Sequence, residues 1–340
     1  ASRNDGLYLE LAGEAVAGQL RLPATPDQPM TIALNHLWLE REDGLGIGDR
    51  GSAADPRRLP PLALTVADLR LEGRSLGALR LNLKSGSKGV RLDDLELESP
   101  LHELVVRGQW QAGELGQLTQ LNLNFSSHDL SDTLTRLGLE PGLEAGEADL
   151  AARLEWHGPL FALDPGVLSG QAELQVGSGR LSRLEPGVAR MIGLFSLASL
   201  TRRLALDFSD LFREGLAFDS IDGAFTLKDG QLLTDNLIIE GPAADIGIRG
   251  RIGLADRDQQ LQVTVLPQME GMLPMAGAIA GGPAVGAALF LAQQLFKEDI
   301  GAITRYRYRV TGTWDDPVVE ATERPLRPHN RSAVGGFGDR

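Results

Sequence analysis

The chain has 340 residues, 42% apolar and only 5% aromatic, no cysteine, and 33 basic against 46 acidic side chains, a net charge of −13. The charge argues against a nucleic-acid partner, because each phosphate contact needs a cation. The missing cysteine excludes disulfides, thiolate nucleophiles and Cys-based zinc sites. The apolar content is too high for disorder.

The opening Ala1-Ser2-Arg3-Asn4-Asp5-Gly6 has neither an initiator Met nor a signal pattern, so it reads as the start of a fragment or of a mature form. Period-two alternation, the mark of strands with one buried face, then begins at Leu7-Leu9-Leu11 and Ile32-Leu34. It continues through Leu62-Leu64-Val66, Leu69-Leu71, Leu79-Leu81-Leu83, Val90-Leu92, Leu95-Leu97, Leu104-Val106 and Leu121-Leu123-Phe125. Turn residues such as Ser85-Gly86-Ser87-Lys88-Gly89 separate these runs, and crossover helices are missing between most of them, which suits antiparallel meanders. Asp129-Leu-Ser-Asp-Thr-Leu-Thr-Arg-Leu-Gly138 predicts a short helix near 130–138 with a polar cap and a glycine stop.

Alternation resumes at Leu154-Trp156 and Leu174-Val176. Residues 188–204 read as an amphipathic helix with Met191, Ile192, Leu194 and Phe195 in its apolar bulk and Arg190, Arg202 and Arg203 on its polar side. Strand patterns return at Phe225-Leu227, Leu237-Ile239, Ile246-Ile248, Ile252-Leu254 and Leu261-Val263-Val265, with a turn at Lys228-Asp229-Gly230.

Residues 271–296 then carry no charge. Pro274 and Gly282-Pro283 divide this stretch into a helical pair over 273–297, since proline is welcome at a helix start and costly inside. The second helix, at 1.5 Å per residue, is roughly 22 Å long, short of a hydrocarbon core of about 30 Å. Met272, Leu273, Met275, Ile279, Val285, Leu289, Phe290, Leu291, Leu295 and Phe296 of this stretch are candidates for membrane contact, with a buried plug as the alternative, and Met191, Ile192, Leu194 and Phe195 of the amphipathic helix are candidates for membrane contact as well. Tyr306-Tyr308-Val310 is a last strand pattern that puts Arg305, Arg307 and Arg309 on its other face, and the tail 324–340 reads as flexible. These three arginines, with Arg202 and Arg203, are candidate phosphate-headgroup contacts; a solvated face is the plainer alternative.

Roughly twenty one-sided strands with three or four helices leave a sheet whose apolar face the helices cannot cover. Open twisted sheets rarely exceed about ten strands without curling or splitting. The expected fold is therefore mostly β, an elongated, curled antiparallel sheet forming a hydrophobic groove, with a few short C-terminal helices. A weak repeat supports an array: Asp68-Leu-Arg-Leu-Glu-Gly73, Asp94-Leu-Glu-Leu-Glu-Ser99 and Asn236-Leu-Ile-Ile-Glu-Gly241. The groove candidates are Leu69, Leu71, Leu79, Leu81, Leu83, Leu95, Leu97, Phe225, Leu227, Leu237, Ile239, Ile246, Ile248, Leu261, Val263 and Val265. An ordinary closed core is the alternative from the pattern alone.

Three stretches point to a family: Ser182–Leu206, with Leu184-Glu185-Pro186-Gly187 ahead of Arg190-Met191-Ile192-Gly193-Leu194; Phe225–Gly230 followed by Asn236–Ala244; and the ending Tyr308–Pro317. Together they resemble the C-terminal region of the AsmA-like family of bridge-like lipid transport proteins, most specifically over about 170–320. The resemblance implies residues 1–180 as groove repeats, 181–323 as a C-terminal groove with the helices, and a much longer parent chain anchored in the inner membrane of a Gram-negative bacterium by a helix this sequence lacks. It implies a periplasmic path for phospholipid acyl chains, with the C-terminal end at the outer membrane. A structural or adaptor protein of the envelope, whose apolar helices dock a partner protein, is the second reading.

Catalytic patterns are weak. The five histidines (His36, His102, His128, His157, His329) have no ligand spacing, and neither Gly-x-Ser-x-Gly nor a P-loop occurs. Asp256-Arg257-Asp258 and Asp315-Asp316 read as turns. No enzyme activity, cofactor or metal is expected.

Overall fold

A computed structural model describes residues 6–25, 28–40, 54–114, 116–139, 142–181, 215–268 and 305–323. Among these, sixteen strands form one sheet in which spatial order follows chain order. They are β1 (Leu7–Ala12), β2 (Val16–Leu22), β3 (Met30–Leu39), β4 (Leu62–Leu71), β5 (Arg74–Gly86), β6 (Gly89–Glu98), β7 (His102–Gly113) and β8 (Gly116–Ser127). The sheet continues with β10 (Ala148–His157), β11 (Ser169–Val176), β14 (Ser220–Lys228), β15 (Gln231–Glu240), β16 (Ala244–Gly253), β17 (Asp258–Pro267), β18 (Tyr306–Thr313) and β19 (Pro317–Glu323). At about 4.8 Å per strand the row runs roughly 70 Å. β1 and β19 do not pair, so no barrel closes.

The connections are tight because the turn chemistry is right. Glu72 and Gly73 both have positive φ between β4 and β5, as do Asp229 and Gly230 between β14 and β15; this is the hairpin geometry that matches strand twist. One pair departs from the antiparallel expectation. β3 and β4 run parallel, with Ile32 beside Leu64 and Leu34 beside Val66. A parallel pair needs a crossover connection rather than a hairpin, and 22 residues separate Leu39 from Leu62.

Several adjacent sequence patterns merge into single bulged strands. Leu62-Leu64-Val66 and Leu69-Leu71 both lie on β4, and Val90-Leu92 and Leu95-Leu97 on β6, while β15, with Leu237-Ile239, is bulged in the same way. The register shifts between Val66 and Leu69, between Leu92 and Leu95, and between Thr234 and Leu237. One extra residue at each shift lets the apolar positions change parity and stay on one face. The sequence repeat marks these places: Asp68, Asp94 and Asn236 each stand at a bulge. The side chain accepts hydrogen bonds there, Asp68 from Arg70 Nε at 2.9 Å, Asp94 from Asn82 Nδ2 at 2.6 Å and Asn236 from the Ala224 N–H at 3.1 Å.

The helix α1 (Leu130–Arg136) starts at Asp129, whose carboxylate accepts from the Asp132 N–H at 2.9 Å, and ends before Gly138, whose φ is 82°. The small strands β9 (Leu143–Ala145), β12 (Gly179–Leu181) and β13 (Leu216–Phe218) form a second sheet. Gly179 has to be glycine, because a Cβ there would lie 2.2 Å from the Glu144 carbonyl oxygen and 2.6 Å from the Phe218 ring.

The two helical expectations in 182–214 and 269–304, with Met191, Ile192, Leu194, Phe195, Arg202, Arg203 and the 272–296 apolar residues, lie outside the described residues, as does the tail. Among the described residues no helix is long and apolar enough to cross a membrane.

Candidate functional site

Strand register carries one apolar face across the whole sheet. One row runs Leu81, Leu95, Val106, Leu123, Ala152, Ala172, Phe225 from β5 to β14. The next runs Leu79, Leu97, Leu104, Phe125, Leu150, Leu174. Beyond the bulges, Leu237, Ile248, Val263 and Tyr308 continue it on β15 to β18. All the groove candidates fall on this face, Leu69 and Leu71 through their partners Leu37 and Leu39.

Both margins of the face are covered. Along one, α1 and the small sheet bring Leu130, Leu143, Leu181, Leu216 and Phe218 into a single core with Ile221, Ile239, Ile246 and Val265. Ser127 and Thr133 hydroxyls pair at 2.9 Å beneath α1. His102, beside Ser127, takes part through its Nδ1 with Ser99 Oγ at 3.0 Å. Burial, more than any neighbour, lowers the His102 pKa, which keeps the ring neutral under this cover. Along the other margin, Trp110, Thr119 and Trp156 form a buried row. Their polar atoms are all satisfied: Trp110 Nε1 donates to Gln117 at 3.1 Å, Thr119 to the Gly158 carbonyl at 2.8 Å and Trp156 Nε1 to the Pro159 carbonyl at 3.0 Å. Phe161 stands edge-on to Trp110, centroids 5.0 Å apart.

Between these margins the face differs from end to end. Leu79, Leu81, Leu95, Leu97, Leu104, Leu121, Leu123 and Phe125 are only half-buried. Ile239, Ile246, Val265 and Val310 are at 0% exposure. The first group forms an open apolar floor; the second is sealed core.

The opposite face is polar and laced by cross-strand pairs, such as Arg80 with Glu96 at 2.7 Å and the chain Gln109 to Gln120 to Glu155. Arg307 and Arg309 project from this face, opposite Thr264 and Gln262. They line a cleft of about 1690 Å³ with Arg249 and Arg251, across the sheet's thickness from the leucines. Arg305 is buried ahead of β18. At the far end of the polar face, burial first and then the Asp245, Asp222 and Asp219 carboxylates raise the Glu240 pKa. Burial also raises that of Asp245, whose carboxylate accepts from Gln268 Nε2 at 3.0 Å. Among the described residues no group of three or more His, Asp or Glu is placed to hold a metal ion.

Three features were not picked out from the sequence. The tryptophan margin and the Ser127–His102 row are signalled only by tertiary contact. Gln259 was legible in principle: it holds the phase of Leu261, Val263 and Val265, so a polar residue stands in the apolar row.

A long unclosed sheet with one continuous, partly open apolar face defines an open β-groove protein. The chain belongs to the YhdP family, whose model, YhdP protein, matches residues 1–319. It is 26% identical over 272 residues to the intermembrane phospholipid transporter YhdP of Escherichia coli strain K12, a match over 80% of this chain and 22% of that protein. No solved structure matches.

Proposed function

We propose that this chain is a section of a non-enzymatic lipid conduit, carrying phospholipid between the inner and outer membranes of a bacterial envelope, without a cofactor. The observation that carries the proposal is the half-buried leucine floor, continuous across β5 to β11 and bounded on both margins. It suits an acyl chain, which is aliphatic and indifferent to side-chain detail. Each buried methylene is worth about 0.8 kcal/mol, so a two-chain lipid is held firmly in sum while no single position grips it, and it slides. Headgroups stay in solvent at the open side of the face. The relative's name supports the cargo, since that protein is described as an intermembrane phospholipid transporter. The same reading places the chain in the periplasm within a longer, inner-membrane-anchored protein, with the apolar residues 272–296 at the outer membrane.

The test is direct. The chain is purified without detergent and co-purifying phospholipid is sought by mass spectrometry, with photo-crosslinkers at Leu81, Leu97, Leu237 and Val263. Lipid adducts are expected at Leu81 and Leu97 and none at the sealed Val263. No adduct at either open position overturns the conduit. For the outer-membrane end, Leu289→Asp with Phe290→Asp is expected to abolish liposome binding while circular dichroism of the strands is kept; unchanged binding overturns that contact.

A further inference from the structure

The connection between β10 and β11, Gly158-Pro159-Leu160-Phe161-Ala162-Leu163-Asp164-Pro165-Gly166-Val167-Leu168, carries a single charge, Asp164. Turn corners usually go to Gly, Pro, Asn, Asp and Ser. Here Leu160 and Phe161 occupy the two corners of a turn closed by the Ala162 N–H, which donates to the Pro159 carbonyl at 3.2 Å. Leu160 turns inward and joins the cluster of Trp156, Leu154 and Leu121. Phe161, Leu163 and Val167 stay 46%, 53% and 43% exposed.

This loop is tied down along its length. Its start is held by the Thr119 hydroxyl on the Gly158 carbonyl and by the Trp156 indole on the Pro159 carbonyl. Its one charge serves its own backbone: the Asp164 carboxylate accepts from the Gly166 N–H at 2.8 Å and opens a single 3-10 turn at Pro165–Val167. Its end is fixed to the next hairpin by the Gly230 N–H, which donates to the Leu168 carbonyl at 3.0 Å. The approach is so close that a Cβ at position 230 would lie 2.7 Å from the Pro165 carbonyl oxygen. An ordered loop that leaves large apolar side chains in water forgoes the gain of burying them, and an exposed patch of this kind marks a contact.

The position of the loop indicates what it touches. Trp110 and Trp156 follow Val106 and Leu154 at steps of two residues, so they share the face of the leucine floor. Phe161 stands on Trp110, and Leu160 on Leu121 and Leu154, so the loop overhangs the margin of that face. We propose that residues 158–168 form a lip over the groove, and that Phe161 and Leu163 touch the upper side of an acyl chain lying on the floor beside β7 and β8. This rests on the lipid-conduit reading above. The lip's only polar side chain, Asp164, is turned onto its own backbone, which leaves a polar partner only backbone groups to bind. An acyl chain needs nothing but apolar surface, and the patch is continuous with the floor. Held between floor and lip, a chain loses more contact with water than on the floor alone, so this is the point at which the conduit retains its cargo best.

The experiment uses the 340-residue chain with vesicles of phosphatidylethanolamine and phosphatidylglycerol, and photo-crosslinkers placed singly at Phe161, Leu163, Leu81 and Val318. Val318 is as exposed as Phe161, at 46%, but pairs with Thr311 of the polar cleft, so it controls for labelling by exposure alone. Lipid adducts are expected at Phe161, Leu163 and Leu81 and not at Val318. Phe161→Ser and Leu163→Ser are each expected to lower retained lipid, read by native mass spectrometry, about fivefold, the effect of losing half a side chain's burial. Phe161→Leu is expected to restore most of it. Leu163→Ser, at a side chain 53% exposed, is expected to leave the melting temperature unchanged, which separates a lost contact from a lost fold. Lipid at Leu81 with none at either Phe161 or Leu163, equal labelling at Val318, or retained lipid unchanged in both serine variants overturns the lip and leaves the conduit standing. So does a dimer that Phe161→Ser dissociates, because a second copy of the chain would then cover the patch. No lipid at Phe161, Leu163 or Leu81 overturns the conduit reading itself.

Discussion

The floor over β5 to β11 and the end over β15 to β18 are built from the same code, aliphatic residues at every second position, and they differ in what lies on top. In the floor, Leu81, Leu95 and Leu123 keep part of their surface in contact with solvent. At the end, Ile246 and Val265 have none, and they share one core with Leu216 and Phe218 of the small sheet. The difference teaches that alternation specifies a face and not its fate. Whether a leucine becomes core or lining depends on a second layer donated by residues far along the chain.

The sharpest way to break the comparison is to charge both regions. Val265→Asp is expected to abolish cooperative thermal unfolding, because an unpaired carboxylate in a sealed core is not tolerated. Leu123→Asp is expected to leave a cooperative transition and to remove retained lipid. If the two variants unfold alike, the floor is ordinary core and the groove does not exist.

Truncation sharpens the same contrast at smaller cost. Ile246→Ala is expected to lose about 2–5 kcal/mol in urea titration, the range for large-to-small changes in a full core. Leu95→Ala is expected to lose less than half as much, since a half-exposed side chain forfeits less burial and solvent or lipid fills the gap. Equal losses would mean that the two regions are equally packed.

The cover over the end can be loosened on its own. Asp129→Ala removes the cap of α1 and is expected to lower stability by about 1 kcal/mol, with no change in lipid held at Leu81. A drop in the Leu81 adduct would show that the cover and the floor act as one unit.

The smallest expected effect is electrostatic. Burial and three carboxylates raise the Glu240 pKa in the fold above its ordinary value. The Glu240 contribution to stability is therefore fully present below the ordinary carboxylate range and is lost as pH rises through the raised folded value. Glu240→Gln removes that loss. It is expected to melt higher than the wild type at pH 7 and to match it at about pH 3.5, below the ordinary glutamate range; a melting temperature that is lower at pH 7 would show that the charge is stabilising.

Much of the fold was legible in the sequence. Alternation at Leu79-Leu81-Leu83 or Leu261-Val263-Val265 names strands and their inner faces without help, because the period of two is a property of the extended backbone. Asp129 and Gly138 bracketed α1 for an equally local reason, a side-chain cap and a positive φ. The bulged strands were legible only in part. A break in parity between Val66 and Leu69 reads equally as a turn between two strands or as one extra residue inside a single strand, and only the pairing partner decides.

By itself, then, the sequence determined that this protein is a row of one-sided strands with an aliphatic face and an acidic, polar back. The parallel pairing of β3 with β4 was decided by tertiary structure, because partner choice lies between segments and not within them. So was the side of the sheet that Arg307 and Arg309 share with Arg249 and Arg251, across from the leucines. The open floor, the sealed end and the unpaired amide of Gln259 among aliphatic neighbours belong to the same class. Burial is a relation between residues brought together from distant parts of the chain, and no local period encodes it.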